Sequence, residues 1–213
     1  MKKIAFISQS GNVMKSSLAC AMAVECTNNE LDVAVADLDR EHRTVAQWHS
    51  TRKELGIDPV FTVHSVNSAV DALNCFKNES LAIIDAPSRA TSATTLIAQN
   101  VDLVILPTPP SKKDIDLSLS TLYQLINDNV PIGRLVLVFT RVGSAAELKQ
   151  ATDYINMADF GEAKIKIIST AIWERVGYRG AINDSYAITE TPFTTLNDGA
   201  KAVVHQLLSI LLR

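Results

Sequence analysis

Short apolar runs recur along the whole chain, and each is followed by a stretch whose hydrophobic positions repeat with helical spacing. The runs are KIAFIS (3–8), DVAVADL (32–38), PVFTV (59–63), LAIIDA (81–86), DLVILP (102–107), RLVLVFT (134–140) and KIKIIS (164–169). Several are apolar throughout, as strands covered on both faces must be. Helical patterns fill the gaps at 16–28, 44–54, 66–77, 92–99, 113–127 and 145–158, and a last one runs over 194–212. This alternation predicts βα crossover units building a doubly wound, mostly parallel α/β sheet with helices on both faces. No repeat, low-complexity tract or linker interrupts it, so residues 1–213 read as a single domain.

The polar positions add a location. In such a sheet, ligands gather beyond the C-terminal strand ends, and three polar clusters fall there. SQSGNVMKSS (8–17) follows the first strand, DLD (37–39) the second and DAP (85–87) the fourth. A loop that curls into a helix offers backbone N–H groups and the positive end of the helix dipole to an anion. In that reading Lys15 reaches the β- and γ-phosphates of a nucleotide, Ser16 ligates Mg²⁺ and Ser17 bonds the α-phosphate. Lys-Ser-Ser after one glycine is equally readable as a serine-rich helix cap. The aspartates shift the balance. Asp37 and Asp39 lie one residue apart at a strand end, so their side chains point the same way, and two adjacent like charges call for a cation. Asp85 ends an apolar strand where it can hold Mg²⁺ through water. Together they predict an Mg-nucleotide site.

Composition narrows the class further. The chain has 213 residues, 47% hydrophobic and 20% charged, which suits one α/β domain with a sizeable core. Its net charge of −3 excludes a general basic field, so contact with DNA would need a local patch. Cys20, Cys26 and Cys75 show neither disulfide nor metal spacing and read as reduced thiols of a cytoplasmic protein. No apolar stretch reaches the roughly 18 residues of a membrane span.

Taken in order, these motifs resemble the deviant-Walker-A ATPases of the ParA/MinD superfamily, most closely the short ParA-like branch. The family loop K-G-G-x-G-K-[ST]-[ST] is matched by SGNVMKSS (10–17) at Gly11, Lys15, Ser16 and Ser17. AIIDAP resembles the Walker-B segment, and Asp39 stands at the family's catalytic aspartate. VILPTPPSKKDID (104–116) resembles P-x-x-P-S-x-x-D, with Asp114 at its aspartate. VFTRV (138–142) resembles the strand ending near the base, which implicates Arg141. The segment 169–190 carries a matching arginine, Arg175. The resemblance implies ATP and Mg²⁺ as ligands, with Gly11, Asn12, Val13, Met14, Lys15, Ser16, Ser17 and Arg141 around the nucleotide. Ser16, Asp37, Asp39 and Asp85 would attend the metal; Asp39 and Lys15 would be catalytic.

Four departures modify that expectation. Ser10 replaces the signature lysine that crosses an ATP-sandwich dimer, Asn12 and Met14 replace glycines, Thr140 replaces an asparagine, and Arg40-Glu41 replaces Pro-Gln. Met14 is strained by about 1–2 kcal/mol if its φ is positive, whereas asparagine tolerates that region. ATPases of the McdA type, which position carboxysomes, also lack the signature lysine and use a lysine of the C-terminal half. Lys149 is the candidate here, beside the simpler reading of a solvated surface lysine. With the accessory cation missing, ATP binding with slow hydrolysis is expected.

The resemblance further implies an ATP-dependent homodimer that binds nonspecific nucleoid DNA and is released by a ParB-like or McdB-like adaptor. Its cargo would be a plasmid, a conjugation complex or a compartment such as the carboxysome. Lys164, Lys166, Arg175 and Arg179 are the candidate DNA-binding residues, with scattered solubilising charge as the alternative. The apolar tail AKAVVHQLLSILLR lacks a basic face and reads as the last helix of the domain, not a membrane anchor. A nucleotide-responsive binding module that has lost turnover is the competing reading. Metal-cluster reductases on this scaffold need bridging cysteines, and these cysteines fall in helical stretches.

Overall fold

A computed structural model describes residues 1–88, 92–161 and 164–213. Seven strands, β1 (Lys2–Phe6), β2 (Val33–Asp37), β3 (Thr62–Ser65), β4 (Leu81–Asp85), β5 (Leu103–Thr108), β6 (Leu135–Phe139) and β7 (Lys166–Ile167), form one sheet in the order β3-β2-β4-β1-β5-β6-β7. Every neighbouring pair is parallel. The described helices are α1 (Lys15–Asn28), α2 (Thr44–Glu54), α3 (Ala69–Asn74), α4 (Ser92–Gln99), α5 (Lys112–Asn127), α6 (Ala145–Asn156), α7 (Val176–Asn183) and α8 (Thr194–Leu211). The expected doubly wound parallel architecture is the one observed.

Alternate strand residues feed two separate cores, as the twofold period of a strand requires. Ile4, Phe6, Val35, Ile83, Ile105 and Val138 join one cluster with α1 and α8. Ala5, Ile7, Ala36, Ile84, Leu106 and Leu137 join the other, with α3 to α6. The C-terminal tail therefore buries Val203, Val204, Leu207 and Leu211 in the core that α1 shares. Among the described residues, no helix is long and apolar enough to cross a membrane.

Four elements differ from the pattern-based expectation, the first being β7, where only Lys166 and Ile167 of the expected 164–169 pair with β6. β3 begins at Thr62, not residue 59, because Pro59 has no N–H to give the ladder and Thr62 is the first residue in register with Ala34. α3 is shorter than 66–77: Ser68 caps it by accepting from the Asp71 amide at 3.0 Å. α7 was not anticipated, since its two glycines dilute the helical signal.

Among the described residues, the largest fully buried side chain is a charged one. Arg52 on α2 is sealed from solvent, and its guanidinium makes five hydrogen bonds, one for each N–H. Two go to the Glu190 carboxylate at 2.7 Å each; the others go to the carbonyls of Asp58 (2.7 Å), Pro59 (2.9 Å) and Ser185 (3.2 Å). The Trp48 ring lies under the guanidinium, 5.3 Å from ring centre to Cζ. This arginine ties α2 to the segment after α7. Glu190→Ala leaves a buried cation without its counter-charge and is expected to cost about 3–5 kcal/mol. Urea denaturation reads that loss, and a change below about 1 kcal/mol would refute the role assigned to the pair.

Candidate functional site

β1 lies between β4 and β5, so the chain leaves its two sides in opposite directions and opens a crevice beyond the strand ends. The main chain there is stitched across strands. The Ala86 amide donates to the Phe6 carbonyl (3.1 Å), and the Leu38 amide to that of Asp85 (3.1 Å). These bonds fix the end of β4 beside the loop 8–14 and the loop after β2. A cleft of about 1000 Å³ results, lined by residues 10–17, 38–42, 67–69 and 173–175, and by Arg141, Tyr178 and Arg179.

The loop enters α1 through two left-handed residues, Asn12 (φ 59°) and Met14 (φ 64°). These are two of the positions at which the sequence departs from glycine. Gly11 has neither a positive φ nor neighbours that a Cβ would meet. The glycine that remains is thus not the one the backbone demands. Met14 carries the strain of about 1–2 kcal/mol expected for a positive φ, while its side chain packs on the α1 core. Ser8 staples the loop, accepting from the Ser10 amide and donating to the Ser10 carbonyl at 3.0 Å each. From β6, the buried Thr140 hydroxyl donates to the Val13 carbonyl (3.0 Å), and Arg141 donates to that of Asn12 (3.2 Å). Val13 is buried, so it can offer a ligand only main chain. No side chain caps α1, which leaves its first-turn amides without a side-chain partner, and the first-turn residues Lys15, Ser16 and Ser17 line the cleft.

Lys15 and Ser16 converge on Asp85. The lysine Nζ lies 2.7 Å from Oδ1 and the Ser16 Oγ donates to Oδ2 at 2.6 Å; Asp85 is fully buried and Lys15 nearly so. Ser16 and Asp85 are hard oxygen donors side by side, the set that suits Mg²⁺ carried in on a phosphate. Among the described residues, no three His, Cys, Asp or Glu side chains gather as a dedicated metal cage. Such a cage is not needed for an ion that keeps waters and phosphate oxygens in its shell.

Asp37 and Asp39 part company. β2 ends at Asp37, so strand alternation does not carry on to Asp39. Asp37 is fully buried and accepts from the amides of Asp39 and Ala46 at 2.9 Å each. Burial pushes its carboxyl upward against those two amides, and the charges of Asp85 and Asp39 add to the rise. Asp37 braces the loop 37–46 through these two amides, and like Asp85 it sits beneath the residues that line the cleft. Asp39 does line it, with Oδ1 held by the amides of Glu41 (3.1 Å) and His42 (3.0 Å) and Oδ2 3.3 Å from the Thr44 hydroxyl.

The opposite wall was largely invisible in sequence. Segment 172–174 runs beside 142, with the Glu174 amide donating to the Val142 carbonyl (2.8 Å), and this brings Glu174 between two arginines. Arg141 Nε reaches Glu174 at 2.7 Å and Arg179 reaches it at 2.6 Å. Arg175 bonds its neighbour's carbonyl (2.8 Å) and lies over Trp173. Arg175 and Arg179 thus line the cleft, apart from Lys164 and Lys166, which are exposed around β7. Lys149 is exposed on α6, ion-paired with Asp153 at 2.8 Å, and does not line this cleft. Ser111 caps α5, accepting from the Asp114 amide (3.2 Å) and donating to the Asp114 carboxylate (2.5 Å), so Asp114 is held in the first turn. The cysteines are free; burial raises the Cys26 thiol to about 12.

Residues 4–185 match the family described as the CobQ/CobB/MinD/ParA nucleotide binding domain. No curated protein sequence gives a significant match. Among solved structures, a Borrelia burgdorferi B31 protein described as a plasmid partition protein, bound to AMPPNP, superposes with a TM-score of 0.74 at 16% identity, covering 99% of this chain and 98% of that one. The MinC:MinD complex of Aquifex aeolicus gives 0.74 at 12% (98% and 96% covered). An ATP complex of a Cyanothece McdA variant gives 0.70 at 13% (98% and 96%). The chain belongs to the CobQ/CobB/MinD/ParA nucleotide-binding family, with the ParA/MinD fold.

The bracing of the strained loop can be tested alone. Thr140→Val keeps the shape but leaves the buried Val13 carbonyl without its donor, and is expected to lower stability by about 1–3 kcal/mol in chemical denaturation. No measurable loss would mean that the hydroxyl does not hold the loop.

Proposed function

We propose that this member of the CobQ/CobB/MinD/ParA family is an ATP-binding, slowly hydrolysing switch that positions or partitions a cargo. One observation carries the reading: Lys15 and Ser16 meet Asp85 at the mouth of a helix whose first-turn amides no side chain caps. A triphosphate would be held by those amides, by the loop main chain from Gly11 to Met14 and by Lys15, with Ser17 toward the α-phosphate and Arg141 toward the base. Ser16 and Asp85 would hold Mg²⁺, which when bound neutralises phosphate charge. Without ligand, Lys15 and Asp85 neutralise each other; a bound triphosphate would take the lysine as its partner and leave the Asp85 carboxylate free to help hold the cation.

Asp39 would orient the attacking water. The water oxygen bonds to the terminal phosphorus while the bond to the bridging oxygen breaks. The electron pair stays on ADP, and both water hydrogens leave with inorganic phosphate. Ser10 supplies no cation, so turnover without a partner is slow. Slow hydrolysis suits a cycle in which ATP favours a homodimer on nucleoid DNA and an adaptor of the ParB or McdB kind disperses it. The solved neighbours include a plasmid partition protein, a MinC:MinD complex and an McdA, which supports this class of task. Lys149 would then act from the partner subunit.

The competing module that binds without turnover is favoured by the strained Met14 and the buried Lys15–Asp85 pair. Calorimetric Mg-ATP titration and a phosphate-release assay separate the two. Wild type is expected to bind Mg-ATP and release phosphate slowly, and Asp39→Ala to bind with hydrolysis lowered about 100-fold or more. Absence of nucleotide binding by wild type at millimolar ATP would end the switch reading; binding with equal rates in both proteins would leave the module.

DNA contact is expected to be electrostatic. Lys164→Glu and Arg179→Glu should each weaken ATP-dependent binding to a nonspecific duplex and flatten its salt dependence by about one unit of slope. Unchanged binding in both variants would move the DNA surface elsewhere.

A further inference from the structure

We propose that Arg40 is a cation that reaches the terminal phosphate from within the same chain, separate from the charge across the dimer that Ser10 does not provide. This rests on the nucleotide reading above and deepens it. The cleft's charged side chains are unequally committed. Lys15 is ion-paired with Asp85, and Arg141 and Arg179 with Glu174. Arg175 sits over Trp173 and bonds a carbonyl. Arg40 is exposed and forms no ion pair among the described residues; its guanidinium rests on the neutral Asn67 carbonyl.

Its position follows from the sheet. β2 lies two places from β1 on one side and β6 two places on the other. Arg40 follows Asp39 on the β2 side, and Arg141 and Glu174 occupy the β6 side. A triphosphate seated on α1 has its base toward Arg141 and its terminal phosphate toward Asp39, which places Arg40 at the phosphate end. Asp39 is oriented by the amides of Glu41 and His42, so the turn that aims the carboxylate also carries the arginine. The exchange of a carbonyl for a phosphate costs Arg40 one neutral hydrogen bond and gives it a charge-assisted, bidentate one. Among the departures from the family pattern, the one at positions 40–41 sets a cation on this turn beside a carboxylate, Glu41, that also lines the cleft.

Mg-ATP and Mg-ADP affinities are measured by calorimetry for wild type, Arg40→Ala and Arg40→Lys. Arg40→Ala is expected to weaken Mg-ATP about tenfold or more and to leave Mg-ADP within about twofold, because only ATP has the phosphate that Arg40 touches. Arg40→Lys should recover part of the ATP affinity, since it keeps the charge without the fork. Equal losses for ATP and ADP, or no loss for ATP, would overturn the assignment of Arg40 while leaving nucleotide binding intact. If wild type binds neither nucleotide, both this inference and the switch reading fall.

Discussion

A buried lysine facing a buried aspartate is what the ligand-binding half of the molecule is organised around. Lys15 and Asp85 are 70 residues apart, yet their charges sit 2.7 Å from each other with almost no solvent. Neither group can be buried alone without a penalty of several kcal/mol. The pair therefore couples the start of α1 to the end of β4, and the Ser16 hydroxyl on the other carboxylate oxygen fixes the geometry. The β1–β4 ladder, from Lys2 beside Leu81 to Phe6 beside Asp85, delivers both partners to that point.

Around this centre the fold stores strain and holds it with side-chain bonds. Asn12 and Met14 take a left-handed backbone in which only the asparagine is comfortable. Ser8, Thr140 and Arg141 grip the loop carbonyls from either side. A glycine-rich loop reaches such a shape through backbone freedom; this one is held in it by neighbours. Thr140 thus does in this chain a job that neither its size nor its place in a motif reveals.

Charge in the cleft is distributed by the same logic. On the β6 wall Glu174 engages two arginines at once and leaves a net positive charge there, while the centre is neutralised by Lys15 and Asp85. The β2 wall holds Asp39 in a turn of its own amides, with Asp37 beneath it as a brace. An anionic ligand entering this cleft competes for cations already in use at one wall and the centre, and meets a less committed one at the other. Binding is then an exchange of partners, not the filling of a bare charged hole.

The sequence by itself determined the layer order and the place of the site. Short runs that are apolar throughout, spaced by helical patterns, leave a parallel sheet with two covered faces as their outcome. Polar residues at the ends of strands 1, 2 and 4 mark where a ligand would lie. These features are local: the period, the cap and the turn are all written within a few residues. What only tertiary structure decided were the pairings between distant segments. Arg52 with Glu190, Thr140 with Val13, Lys15 with Asp85, and Glu174 beside Arg141 all depend on segments far apart in sequence. No spacing rule reaches them, because a buried polar group must find a partner wherever the fold brings one, and that partner is chosen by strand order and register.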